Sequence, residues 1–288
     1  MRKARGHGRR AHPTTPAKAA AGTLGADRKR TKAGYRILAI SDTHCGHVTG
    51  LTPPAWWTQR LLNQQAPPWE WFTKAIEGFN PDIVIWTGDL IDGKGAKSGG
   101  SELLVPTCLG QAEMATELVK IIGAKSNIFC HGTGYHTSEG GEDYETVIAR
   151  EVGGEIYDSP LLDVGGVIIN ARHHIGGTSV AYGATPLSKE KLADTLWADA
   201  EGRDKANIIL RGHVHRHNFL GGVDDDGHQW VAMTLPALQL WTKFGGRRVT
   251  GQPITYGVTF IEVKSGSFAW RTKTLSLKGS REIIRFSK

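Results

Sequence analysis

The chain has 288 residues, 39% of them hydrophobic, and a formal charge of +7. That suffices for one large domain or two small ones, while no apolar run approaches the ~20 residues of a membrane helix and no signal-peptide core is expected at the N-terminus. Cys45, Cys108 and Cys130 are odd in number and lack C-x-x-C spacing, which argues against a disulfide framework and predicts a cytoplasmic protein.

The positive charge is concentrated at the start. Residues 1–34 hold ten Lys or Arg against one acid, Asp27, a net +9 that leaves the remaining residues at −2. This Ala/Arg/Thr/Gly-rich stretch has little to bury and reads as a flexible tail, followed by a single domain over 35–288. The tail either grips nucleic acid through phosphate contacts or is a solvated extension.

Arg36–Ser41 is a short apolar run typical of a buried strand, and it delivers Asp42-Thr43-His44. Residues 46–68 contain Pro53, Pro54, Pro67 and Pro68 and predict a long loop on which Trp56 and Trp57 pack. Phe72, Ala75, Ile76 and Phe79 then fall on one helical face, ended by Pro81. Strand Ile83–Trp86 delivers Gly88-Asp89-Leu90-Ile91-Asp92, and a Gly/Lys/Ser-rich loop spans 93–101. A second helix uses Met114, Leu118, Ile121 and Ile122, a strand covers 127–131, and a third helix runs over about 142–152.

Leu161–Val164 and Val167–Ala171 form a hairpin through Gly165 and Gly166, and His173-His174 follow it. After a helix near 189–200, strand Asn207–Leu210 leads to Gly212-His213-Val214-His215. The C-terminal third reads as hairpins turning at 225–227 and 264–266. Early strand–helix alternation followed by antiparallel hairpins argues an α/β or α+β chain of mixed sheets with helices outside. There is no internal repeat.

Aspartate and histidine recur where strands run out, and that combination suits manganese, iron or zinc. Each motif alone is weak; four in one order, each after an apolar strand, point to a metal site. Asp42-Thr43-His44, Gly88-Asp89-Leu90-Ile91-Asp92, His173-His174 and Gly212-His213-Val214-His215 resemble the motifs of the calcineurin-like metallophosphoesterase superfamily, over Tyr35 to about Leu275. The segment Gly50-Leu51-Thr52-Pro53-Pro54 is similar to that of phosphoesterase-like proteins of bacteriophages and bacteria. The resemblance implies two central mixed β-sheets flanked by helices, a four-layer αββα sandwich. It also implies that Asp42, His44 and His215 hold one divalent ion, that Asp89 bridges two, and that His213 with His173 or His174 holds the other. Strand alternation would place only one of His173 and His174 on the metal side.

Family members carry Gly-Asn-His where this chain has His131-Gly132-Thr133-Gly134-Tyr135-His136. His136 is the expected general acid or transition-state stabiliser, with Asp89 as the other catalytic group. Without the asparagine, Thr133, Tyr135, His131 or a water must complete the ligands of the second ion. His47 is close enough in sequence to touch the site or the substrate, or it is a loop residue. Cys45 has no base and reads as packing, and His217 as a surface or supporting residue. Trp230, Trp241, Phe244, Lys243, Arg247 and Arg248 either grip a nucleic-acid strand or are sheet core and solvated turn. The expected activity is hydrolysis of a phosphate ester by metal-activated hydroxide, favouring a phosphodiester of nucleic acid or a nucleotide. The alternatives are a phosphomonoesterase or protein phosphatase, and a nucleic-acid-binding protein with a structural metal site.

Overall fold

The computed structural model describes residues 34–176, 183–243 and 254–276. The basic stretch before Gly34 lies outside them, as do Phe244, Arg247 and Arg248.

Apolar residues alternate in β1 (Tyr35–Ile40), and the alternation divides two cores. Ile37 and Ala39 face a second sheet, whereas Leu38 and Ile40 face helices. In the first sheet β1 runs parallel to β2 (Ile83–Trp86), β2 to β3 (Ser126–Cys130), and β3 to β6 (Glu155–Tyr157). On the other side of β1 comes the antiparallel hairpin β12 (Tyr256–Lys264) and β13 (Ser267–Leu275). The second sheet has the order β10 (Asn218–Val223), β11 (Gln229–Thr234), β9 (Ile208–Arg211), β8 (Val167–Arg172), β7 (Leu161–Val164), with parallel pairs at β11–β9 and β9–β8. Both sheets are mixed, as the sequence predicts. A two-stranded ribbon, β4 (Ser138–Glu139) with β5 (Glu142–Asp143), stands apart.

Three apolar clusters fill the spaces between four layers. Ile37, Ile85, Cys130, Ile169, Leu210 and Ile261 meet between the sheets. Leu38, Trp86 and Phe129 meet α1 (Leu62–Ile76), α2 (Cys108–Ile122) and α4 (Tyr144–Glu151) on the outside of the first sheet. Ile209 and Ala232 meet Leu187 of α5 (Thr185–Glu201) on the outside of the second. Trp230 is half-buried against that last cluster, which makes it sheet packing.

Two expectations are corrected. The loop predicted to reach Pro68 ends at Leu61, and α1 passes through Pro67 and Pro68. Each interior proline removes an N–H and costs about 3 kcal/mol, but Gln65, Pro68, Trp69, Phe72 and Ala75 form one buried stripe. Burying Trp69 and Phe72 contributes about 1.5–3 kcal/mol each and helps offset that cost. In α2, Ile121 is exposed and Ala115 and Val119 take its place, because the buried face is centred on Met114 and Leu118. A four-residue helix, α3 (Gly134–Thr137), and strand β6 carry too short a pattern to be read from sequence. No helix among the described residues is long and apolar enough to cross a membrane.

Candidate metal centre

The candidate ligands sit one to four residues beyond strand ends, in backbone conformations that side chains rarely adopt. Among the described non-glycine residues with positive φ are Asp42 (52°), His44 (43°), Asp89 (54°), His213 (73°) and His215 (51°); Asn80 and Ser265 are the others. Left-handed backbone at such residues costs on the order of 1–3 kcal/mol each and persists where surrounding structure over-determines it. Here the ligand loops are cross-linked: Asp42 N–H donates to Gly88 O at 3.1 Å, His44 N–H to Asp89 O at 3.0 Å, and Gly212 N–H to His173 O at 2.8 Å. Gly88 (φ 90°) and Gly132 let two of these loops touch. A Cβ on Gly88 would lie 2.7 Å from Gly132 Cα and 2.8 Å from His173 Nδ1, and one on Gly132 would overlap the Asp89 backbone.

Two histidine-rich groups result. In the first, His215 Nε2 lies 3.2 Å from Asp42 Oδ1 and 3.2 Å from His44 Nε2. In the second, the ring nitrogens of His173, His174 and His213 lie within 4.8 Å of one another. Asp42, Asp89 and His173 form a third such group and connect the two, with His173 Nε2 at 3.1 Å from Asp89 Oδ2. Both His173 and His174 therefore reach the second group. Alternation does not separate them because β8 ends at Arg172. His173 is fully buried, its Nδ1 donating to Thr87 O at 2.7 Å, whereas His174 is exposed at the rim.

The donor set suits divalent ions. Asp42 Oδ1 is buried and forms no hydrogen bond of good geometry, having the His215 ring nitrogen at 3.2 Å, while Oδ2 accepts from His213 N at 3.0 Å and from the Ser41 hydroxyl. An acceptor oxygen left unmatched at full burial, facing the ring nitrogens of His215 and His44, fits a cation.

The charge states agree. Burial opposes ionisation of Asp42 and of Asp89, yet His215 beside the first and His173 beside the second hold both carboxyls well below the usual range. Burial pushes His44 down, and burial with the neighbouring His173 lowers His213 to about 4, so both rings are neutral and ligand-ready at pH 7. His173 moves the other way: burial works against its protonation, but Asp89 raises it to about 9.

Thr133, one of the residues offered in place of the family's asparagine, lies beyond β3 among the histidines of the second group. Its Oγ1 lies 3.1 Å from His173 Nε2, 3.3 Å from His213 Nδ1, 3.5 Å from His174 Nε2 and 3.2 Å from Asp89 Oδ2. Its backbone N–H donates to Asp89 Oδ1 at 2.6 Å. His131 instead pairs with Asp143, Nδ1 to Oδ2 at 2.6 Å, and Tyr135 is exposed with its ring edge-on to His136. His136 lies by the first group, edge-on to His44 at 4.7 Å, with Nδ1 donating to Asp92 O at 2.7 Å. That bond leaves Nε2 as the nitrogen available for proton transfer. His47 is buried and lines a cavity beside the first group. Burial raises the Cys45 thiol to about 12, in keeping with packing, and His217 Nδ1 donates to Thr234 O at 2.8 Å.

Three supporting residues are given no role by the sequence, although Asp92 stands within the Asp89 motif. Asp92 Oδ1 accepts from His44 Nδ1 at 3.0 Å. Gln111 Oε1 accepts the N–H groups of Asp92 and Gly93 at 3.0 and 2.8 Å. Glu145 is fully buried and accepts from Leu90 N at 3.0 Å and from Gly132 N, tying the Asp89 loop to the Thr133 loop. Burial and the charge of Asp89 raise its carboxyl to about 8. A signal for Glu145 existed in its position just after Asp143, the N-cap of α4; buried Gln111 offered none.

Residues 35–132 match the family model described as calcineurin-like phosphoesterase. Over that segment the chain is similar to the calcineurin-like phosphoesterases. The family match includes Asp42, His44, Asp89 and Gly132; Thr133, His136, His173, His213 and His215 follow it. No curated protein matches. Similar solved structures include vacuolar protein sorting 29 from Cryptosporidium parvum, 13% identical, covering 85% of this chain and 99% of that one, with a TM-score of 0.41. A metallophosphoesterase from Sphaerobacter thermophilus is 12% identical (84% and 89% covered, TM-score 0.38). A dimetal phosphatase from Danio rerio is 8% identical (83% and 96% covered, TM-score 0.42). None of the three bears on what this chain cleaves.

Proposed function

We propose that residues 35–288 form a hydrolase of phosphate esters that works with two divalent cations, manganese, iron or zinc. Asp42, His44 and His215 would hold one, His173, His174, His213 and Thr133 the other, with Asp89 between them. The observation that carries this reading is the convergence of five left-handed Asp and His residues around the unmatched Asp42 oxygen. Bound there, the pair of cations would neutralise phosphate oxygens and lower the pKa of water toward ~7, making hydroxide available as nucleophile.

The chain's own residues do the rest. Glu145 and Gln111 fix the backbone around Asp89 and Asp92, so the carboxylates are pre-positioned. Asp92 sets His44 with its proton on Nδ1 and its Nε2 toward the first group. His136, anchored by Nδ1, presents Nε2 to carry a proton to the departing alkoxide.

The nucleic-acid or nucleotide diester favoured by the sequence rests on basic residues before 34 and on Lys243, Arg247 and Arg248 with Trp230, Trp241 and Phe244; of these only Trp230, Trp241 and Lys243 lie among the described residues. The reading is tested by stripping the metal, restoring manganese, and following a chromogenic phosphodiester and its monoester, with Asp89→Ala alongside. Manganese-dependent turnover that Asp89→Ala loses is expected, and the diester-to-monoester ratio separates nuclease-like from phosphatase-like chemistry. Full metal binding without turnover by the wild type would overturn it in favour of a structural metal site.

A further inference from the structure

We infer that the cavity beside the first ligand group is a leaving-group subsite, and that it selects a small alcohol bearing hydroxyl or amine donors while rejecting one that carries further phosphates. This deepens the phosphoesterase reading and rests on it.

The cavity has a volume of about 150 Å³, below the roughly 300 Å³ at which sites for drug-sized ligands begin. One side is made by His44 and His215 of the first ligand group, and His136 stands beside them. A phosphoryl group at the ligand clusters would therefore direct its ester oxygen past His136 Nε2 and its alcohol into this space.

The deeper part of the remaining lining is polar and buried, while Ser98, Thr242 and the exposed Tyr135 stand nearer solvent. Glu102 and Gln239 are each 3% exposed, and His47 and Asp92 are buried beside them. His47 Nδ1 accepts the Thr49 N–H at 3.1 Å, so its neutral ring carries the proton on Nε2 and has one donor to give. Asp92 Oδ1 accepts from His44 and, at 3.4 Å, from Gln239 Nε2; Glu102 Oε1 accepts from Lys243 N at 2.8 Å. A carboxylate has about four acceptor positions, so Asp92 and Glu102 retain capacity for the donors of an alcohol.

The charge decides the class. Two carboxylates line the cavity, and neither Lys nor Arg does so among the described residues. A wall of that composition attracts ammonium and hydroxyl groups and repels a second phosphate. A nucleic-acid strand or a nucleoside triphosphate brings such phosphates along.

The test compares kcat/KM of the manganese-loaded protein for O-phosphoethanolamine, glycerol phosphate, p-nitrophenyl phosphate and a thymidine dinucleotide phosphorylated at both ends, in which every leaving alcohol carries a further phosphate. Phosphoethanolamine and glycerol phosphate are expected to exceed the dinucleotide by about tenfold or more. Glu102→Gln is expected to lower the ratio of phosphoethanolamine to p-nitrophenyl phosphate by about tenfold, with calorimetric affinity for phosphoethanolamine falling in step. If Glu102→Gln does not fold, the wild-type ranking decides. A dinucleotide cleaved best, or a ratio that Glu102→Gln leaves unmoved, overturns the inference while the phosphoesterase reading stands. No turnover of any of the four esters overturns both.

Discussion

Asp92 Oδ1 lies 3.0 Å from His44 Nδ1, a carboxylate bonded to the ring nitrogen that faces away from the first ligand group. That contact fixes both the tautomer and the ring orientation of a candidate ligand. Asp92→Asn is expected to weaken manganese binding about 10–100-fold while the fold survives. Calorimetric titration of the metal-free protein measures it, and an unchanged affinity would remove Asp92 from the account.

Under the proposed function the Thr133 hydroxyl completes the second ion's ligands, within 3.5 Å of three histidine nitrogens. Thr133→Ala is expected to weaken the second ion selectively, by about tenfold, leaving the first near its wild-type affinity. Thr133→Asn offers an amide oxygen to an ion held by the same three histidines and should bind the second ion at least as well as the wild type. Equal loss of both ions in Thr133→Ala would contradict the assignment.

Metal binding should depend on pH through His173. Burial disfavours its charge, but Asp89 raises it to about 9, and a cation needs the neutral ring. Affinity therefore climbs as pH rises toward about 9, with a proton released on binding. The metal-free protein behaves in the opposite sense. The stabilisation that His173 gains from Asp89 is complete below the ordinary histidine value and fades as pH rises through about 9. Titrations in buffers of different ionisation enthalpy count the proton; a flat affinity between pH 6.5 and 9 would exclude His173 as the titrating ligand.

Gly132→Ala places a Cβ against the Asp89 backbone and carboxylate. The two loops must separate, so loss of the second ion and a lower melting temperature are expected together. Thermal unfolding with and without manganese checks this: the variant should gain much less from the ion than the wild type does, where saturation at 100 times Kd contributes about 2.7 kcal/mol.

Much of the strand framework and the order of the ligand motifs could be read from sequence, because buried strands and their terminal Asp and His residues are local patterns. Arg36–Ser41 delivering Asp42 and His44 needs no tertiary information. What escaped depends on contacts distant in sequence. Glu145 reaches Gly132 and Leu90, the latter 55 positions away, and no periodicity announces such a bond. α1 was misread because Pro67 and Pro68 signal a break, and only packing against the first sheet shows that the stripe continues through them. Sequence leaves His173 and His174 as alternatives for a related reason: alternation stops where β8 stops.

The central claim is that the two ligand groups hold a pair of cations that together enable ester hydrolysis. The most direct measurement is turnover of a chromogenic phosphate ester followed against manganese bound, by equilibrium dialysis of the stripped protein. The account predicts negligible turnover until about two equivalents are bound, with Asp89→Ala losing both the second equivalent and the activity. Turnover at full rate in the stripped protein, or two bound equivalents with no turnover, would contradict it.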